Sequence, residues 1–241
     1  MKKTYLFFLI IIVISCKTIN VNQLPQRTTK TFIEIGVIGK ENKKIETTVL
    51  QTTTLPVYKR KIRVSANIVT FNDNTFNAYA QAALEQNKKI KVTYIDSVAN
   101  KLGYVNLQIL DKVQVLDELN AEHNKGINTY LQNVDNDVII TGVSAYFDAI
   151  ELSNISQAEE VYLINNKPKK YSLELVKSGK PFANIDISRS VPFAFTTASF
   201  CWKKERGKIS IANLVDKSES CTRNTYKNVA RLNKKIDYFK Y

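Results

Sequence analysis

The clearest alternation in the chain runs from Lys61 to Phe71, where Ile62, Val64, Ala66 and Ile68 interleave with Arg63, Ser65 and Asn67. Successive side chains of a strand point to opposite faces, so this pattern predicts a half-buried strand with its charged face in water. Upstream, Thr31–Ile38 carries Phe32, Ile33, Ile35 and Val37, and Ile45–Thr53 is rich in β-branched residues. These two stretches predict strands paired across the polar turn Lys40–Lys44. Downstream the period changes. After Asn72-Asp73-Asn74, which suits a turn or a helix cap, Phe76, Tyr79, Ala80, Ala83 and Leu84 recur at helical spacing. They predict a helix over Thr75–Asn87. Ile90–Ile95 and Tyr104–Leu110 read as strands. Val113–Glu122 reads as a helix with Val113, Leu116 and Leu119 on one side, and Ile127–Gln132 as a second short helix before the loop Asn133–Asp137.

The remaining segments are strand-like. Val138–Phe147 is a long apolar run, and Glu160–Ile164 and Lys170–Val176 flank the turn sequence Asn165-Asn166-Lys167-Pro168. Ser178-Gly179 separates these from Phe182–Ile187. Pro192–Trp202 and Lys208–Leu214 flank the hairpin loop Lys203–Gly207, and Thr222–Tyr241 is expected to start helical and end aromatic and basic. Short turns between strands favour antiparallel pairing. The expected fold is therefore α+β and β-rich, with an antiparallel meander in the C-terminal half and two or three inserted helices. A globular body is expected over 31–241. Residues 122–137 are the place for a subdivision, although no distinctive linker composition marks one.

The N-terminus follows a different logic. Lys2 and Lys3 precede an apolar run, Tyr5–Ile14, and Ser15 and Cys16 come next. A bilayer span takes about 20 apolar residues, so this run is short for a membrane helix and suits a secretory signal. Val13-Ile14-Ser15-Cys16 resembles the lipobox of bacterial lipoprotein signal peptides. The resemblance covers residues 1–16 only. It implies cleavage before Cys16, a diacylglycerol on its thiol and acylation of the new amine, and two or more acyl chains anchor a protein firmly. Residues 1–15 are then the signal peptide. Residues 16–30 are read as the lipidated Cys and a polar tether, averaging roughly 20 Å end to end as a coil. Lys17 stands where the best-known inner-membrane retention signal has Asp, and no acidic run follows. The resemblance thus implies the outer membrane, on its periplasmic face.

Composition narrows the chemistry. The chain is 44% hydrophobic and 24% charged, which is globular and excludes disordered and collagen-like classes. His123 is the single histidine, which excludes sites needing two imidazoles. Cys201 and Cys221 remain besides Cys16. In an exported chain they are expected to form a disulfide, contributing about 3 kcal/mol by chain entropy. Two free thiols are the alternative, and a catalytic thiolate would need His123. Gly142-Val143-Ser144-Ala145-Tyr146 fails the GxSxG pattern at its last position, and GxGxxG and P-loop patterns are absent. Asn133–Asp137 offers oxygen ligands but lacks the Gly and distal Glu of a calcium loop, so it reads as a polar turn. Asp96-Ser97-Val98 resembles a short bacterial O-glycosylation motif. No catalytic residue, metal ligand or cofactor is assigned.

Charge is the most extensive feature. There are 35 Lys and Arg against 22 Asp and Glu, a formal +13. Lysines cluster at strand starts and turns, where they discourage edge-to-edge aggregation. The tail adds Arg223, Lys227, Arg231, Lys234, Lys235 and Lys240, interleaved with Tyr226, Tyr238, Phe239 and Tyr241, a candidate surface for anions. Nucleic acid fits the charge but not an exported, lipid-anchored chain. The expected function is a membrane-anchored envelope lipoprotein, a non-enzymatic structural or accessory component of an envelope or secretion assembly. Its partners are the membrane, through Cys16, and envelope proteins. The alternatives are a binding module for an anionic glycan or lipid, and an exported hydrolase whose facing carboxylates no spacing reveals.

Overall fold

A computed structural model describes residues 18–43, 48–89, 102–167 and 170–233. Cys16, the segment expected as the strand Ile90–Ile95, Asp96-Ser97-Val98 and the tail from Lys234 lie outside the described residues. In chain order the elements are β1 (Thr18–Val21), β2 (Leu24–Thr28), β3 (Ile38–Lys43), β4 (Thr48–Thr54), β5 (Ile62–Thr70) and α1 (Asp73–Glu85). Then come β6 (Gly103–Ile109), α2 (Lys112–Asn120), α3 (Lys125–Gln132), β7 (Asp137–Tyr146) and α4 (Ala149–Gln157). The last five strands are β8 (Glu160–Lys167), β9 (Lys170–Lys177), β10 (Lys180–Asp186), β11 (Val191–Glu205) and β12 (Lys208–Asp216). The class is α+β and β-rich, with helices inserted between strands of one large antiparallel sheet.

The sheet runs β1-β2-β11-β7-β6-β5-β8-β9-β10, with β12 beside β11 and the β3–β4 pair beside β7. The C-terminal strands form antiparallel hairpins in two groups: β8–β9–β10 beyond β5, and β11–β12 on the far side of β7. Strand β7 explains the long apolar run of the sequence. It is buried at every position because β11 flanks one edge and β6 and β3 share the other. Two hairpins close with two-residue turns at Ser178-Gly179 (φ 50° and 71°) and Arg206-Gly207 (φ 48° and 80°). Paired positive φ values match the twist of the flanking strands, and glycine adopts them at least cost.

Two apolar clusters hold the body together. The larger spans the sheet from β10 to β11 and β12 and includes Ile35, Ile62, Leu107, Val143, Leu163, Leu173 and Phe195, together with Val115, Leu119 and Leu131 from α2 and α3. The smaller lies under α1. There Phe71, Tyr79, Tyr104, Tyr146 and Phe193 pack with Ile19 and Val21 of β1, and the Phe71 and Tyr104 rings stand 4.8 Å apart. A capping box starts α1: Asn72 Oδ1 accepts from Thr75 N, and Thr75 Oγ1 accepts from Asn72 N.

Four local readings differ from the structure. Residues 18–28, expected within a free tether, form a hairpin on the sheet; Ile19 and Val21 alternate inward and pack beneath α1, so burial overrides the polar composition. Residues 31–37 are irregular, with Ile33, Ile35 and Val37 buried and Thr31 and Phe32 exposed. Gly36, at φ 82°, bends the chain where a Cβ would come within 2.9 Å of Leu163, and the ladder begins only at Ile38. Helix α4, absent from the sequence reading, begins at a second capping box, Asp148 with Glu151. The tail does not start as a helix. Residues 222–228 turn back to β11, and a short 3-10 turn, Val229–Asn233, follows.

Candidate functional site

The disulfide organises a partly enclosed polar region. Cys201, fully buried in β11, is bonded to Cys221, with Cα atoms 5.7 Å apart. This draws the chain after β12 back across β11. Trp202 N donates to Tyr226 O at 2.8 Å, and Tyr226 N donates to Trp202 O at 3.0 Å. Lys227 and Asn228 are thereby placed opposite the loop between α3 and β7. A cavity of about 240 Å³ lies between them, walled by Val134, Asp135, Asp137, Phe200, Trp202 and Asn228 among others. Asn228 Nδ2 donates to Asp135 Oδ1 at 3.1 Å and joins its two sides.

Asp137 is the chemically distinctive group here. It is 7% exposed, and neither carboxylate oxygen makes a hydrogen bond of good geometry. Burial pushes its carboxyl above the ordinary range, opposed in part by Tyr130, Lys40 and Thr53 nearby. The cavity can hold water or a small polar molecule. Among the described residues, no three His, Cys, Asp or Glu side chains converge as a metal site.

His123 is brought to a different place. Its Nε2 lies 3.1 Å from both Val57 O and Glu118 Oε2. Glu118 of α2, only 2% exposed, also accepts from Lys59 N at 2.7 Å and Arg60 Nε at 2.9 Å. Burial alone would raise its carboxyl; Arg60, Lys59 and His123 outweigh that and hold it below the usual range. Asn124 completes the clamp, accepting from Val57 N and donating to Val57 O and Glu118 O. The cluster fastens the loop before β5 to α2, and the histidine serves that joint.

Two further carboxylates were not singled out by sequence. Glu41 of β3, with its side chain 4% exposed, is paired with Arg27 at 2.6 Å and with Lys217. It ties β2, β3 and the segment after β12 together. Glu34, in the irregular stretch before β3, is pushed up to about 7 by burial and by Asp186, against the pull of Lys170. Every one of these groups comes from a separate element, so no sequence spacing announces them. The tail cations are only partly gathered. Arg223, Lys227 and Arg231 are exposed, with Lys227 Nζ donating to Lys217 O at 3.0 Å, while Lys234, Lys235 and Lys240 lie outside the described residues. No protein-family model matches the chain, and no curated protein or solved structure is significantly similar to it.

Proposed function

We propose that the chain is a membrane-anchored envelope lipoprotein, held through acylated Cys16 on the periplasmic face of the outer membrane. It acts as a non-enzymatic structural or accessory component of an envelope or secretion assembly. The observation that carries this reading is the ordered run Lys2-Lys3, Tyr5–Ile14, Ser15 and Cys16. The Cys201–Cys221 disulfide supports it, because such bonds persist in oxidising compartments. The buried ionic clusters support it too, since Glu118 and Glu41 are engaged in holding loops and strands rather than facing a cleft.

Two measurements test the proposal. Cys16→Ser is expected to abolish fatty-acid labelling and membrane association; a variant still processed and labelled would refute the anchor. In-cell cross-linking of the full-length protein, with sizing and mass spectrometry, is expected to recover a defined set of envelope proteins. A strictly monomeric protein with no cross-linked partner would refute the assembly role. The excess of cations favours a second reading, a module for an anionic glycan or lipid. Affinity unchanged between low and physiological salt would exclude it, because screening weakens contacts between surface charges.

A further inference from the structure

The anchor point and the sheet are nearly contiguous. Strand β1 begins at Thr18, two residues after Cys16. Two residues of chain span at most about 7 Å. An acyl group on Cys16 therefore holds the edge of the sheet itself at the bilayer, with no tether long enough to let the body tumble freely.

The surface around that edge can be traced through named contacts. Thr18 pairs with Arg27, and β2 then leads to Thr29 and Lys30. Thr29 N donates to Phe193 O at 2.9 Å, and Gln86 Nε2, just past α1, donates to the neighbouring Pro192 O at 2.8 Å. Lys30 Nζ lies 3.4 Å from Glu85 Oε1, at the last residue of α1. The start of β1 and the end of α1 thus share one corner of the molecule. That corner presents Leu84, 66% exposed, and Phe32, 38% exposed, beside the exposed Lys30, Lys88 and Lys89. Glu85 offsets one of the three lysines, so the corner keeps a net positive charge.

We propose that this corner, Leu84 and Phe32 with Lys30, Lys88 and Lys89, rests against anionic lipid headgroups of the bilayer that holds Cys16. The proposal builds on the lipid anchor proposed above and adds an orientation to it. Exposed apolar side chains rimmed by lysines suit an interface where headgroups meet acyl chains, and negative headgroups attract the cations. The occupant is the membrane because the chain leads there: β1, whose Ile19 and Val21 pack beneath α1, begins at most about 7 Å of chain from Cys16, so lipid is the surface nearest the adjoining corner.

The test uses the full-length, fatty-acid-labelled protein in nanodiscs containing one third phosphatidylglycerol in phosphatidylcholine. A nitroxide is placed at Leu84→Cys, or for comparison at Val113→Cys on α2, which is 70% exposed and lies over the other core. Position 84 is expected to be several-fold less accessible to an aqueous nickel collider than position 113. That protection is expected to fall in pure phosphatidylcholine, and in a Lys30→Glu, Lys88→Glu, Lys89→Glu variant. Equal accessibility at 84 and 113 in labelled, disc-bound protein overturns the orientation and leaves the anchor standing. Protection at 84 that ignores both lipid charge and the lysines overturns the headgroup contact. Protein that carries no labelled fatty acid overturns the anchor, and this proposal with it.

Discussion

Glu118 and Glu34 show how similar residues acquire opposite linkage to pH. Glu118 gathers Arg60, Lys59 N and His123, so its carboxyl is lowered from 4.5. Its contribution is present above the unfolded value and lost as pH falls through the folded one. Glu118→Ala leaves Lys59 N and Arg60 without their acceptor, and a loss of about 2–4 kcal/mol is expected in urea unfolding at pH 7. Glu34 behaves in the other sense. Its folded value is about 7 against 4.5 unfolded, so between these the native state holds a proton that the unfolded chain has released. Stability therefore declines as pH rises from 4.5 to 7 and levels off above. Glu34→Gln is expected to remove this decline and to raise stability by about 1–3 kcal/mol at pH 8, with no gain at pH 4. Equal unfolding midpoints of variant and parent at pH 8 would contradict it. Neither behaviour is legible in the sequence, because the neighbours that decide it, Arg60 for one and Asp186 for the other, arrive from other elements.

At the scale of elements, legibility follows the length of the pattern. The long apolar run at 138–147 and the helical spacing at 75–87 became β7 and α1 because the one is long and the other repeats its period over several turns. Strand β1 has only four residues, Thr18–Val21, and its two inward positions cannot establish a period. Helix α4 carried a readable signal in Asp148-Ala149-Ile150-Glu151, a capping box with both reciprocal bonds in place. Its apolar stripe is weak, since Ile150 is 75% exposed while Ile155 is buried. The cap therefore matters more than packing alone would suggest, and Asp148→Ala is expected to cost about 1 kcal/mol in thermal or urea unfolding. The outer edge of β12 illustrates what sequence cannot show. Asn120 on α2 accepts from Ile211 N at 3.0 Å and donates to Ile211 O at 2.9 Å, completing a strand edge with a side chain. A fixed edge of this kind is blocked from pairing with another chain.

For the whole molecule, the cysteines gave the one long-range contact that the sequence supported by residue number, and the compartment argument behind it came from the N-terminus. The cavity beside it was illegible because its walls come from 131–137, 199–202 and 227–228, brought together only when the bridge turns the chain back. Its consequences for stability divide in two. The bond closes a loop of 20 residues, so a Cys201→Ala, Cys221→Ala variant is expected to lose about 3 kcal/mol in global unfolding. The segment after β12 should also open locally before the sheet unfolds, because among the described residues few other contacts hold it: the Trp202–Tyr226 backbone pair, the Lys217–Glu41 ion pair, the Asn228–Asp135 bond and the partly buried Val229 and Leu232 against the larger core. Exposed Arg223 and Lys227 lie within it and make trypsin a direct probe. Under native conditions, cleavage at these two positions is expected to accelerate in the variant far more than cleavage at the exposed Lys170 and Lys177 on the opposite side of the sheet order. Uniform acceleration at all four positions would mean that the bridge stabilises only the fold as a whole. Acceleration confined to the segment after β12 would mean that the disulfide also keeps Lys227 and Asn228 over the cavity.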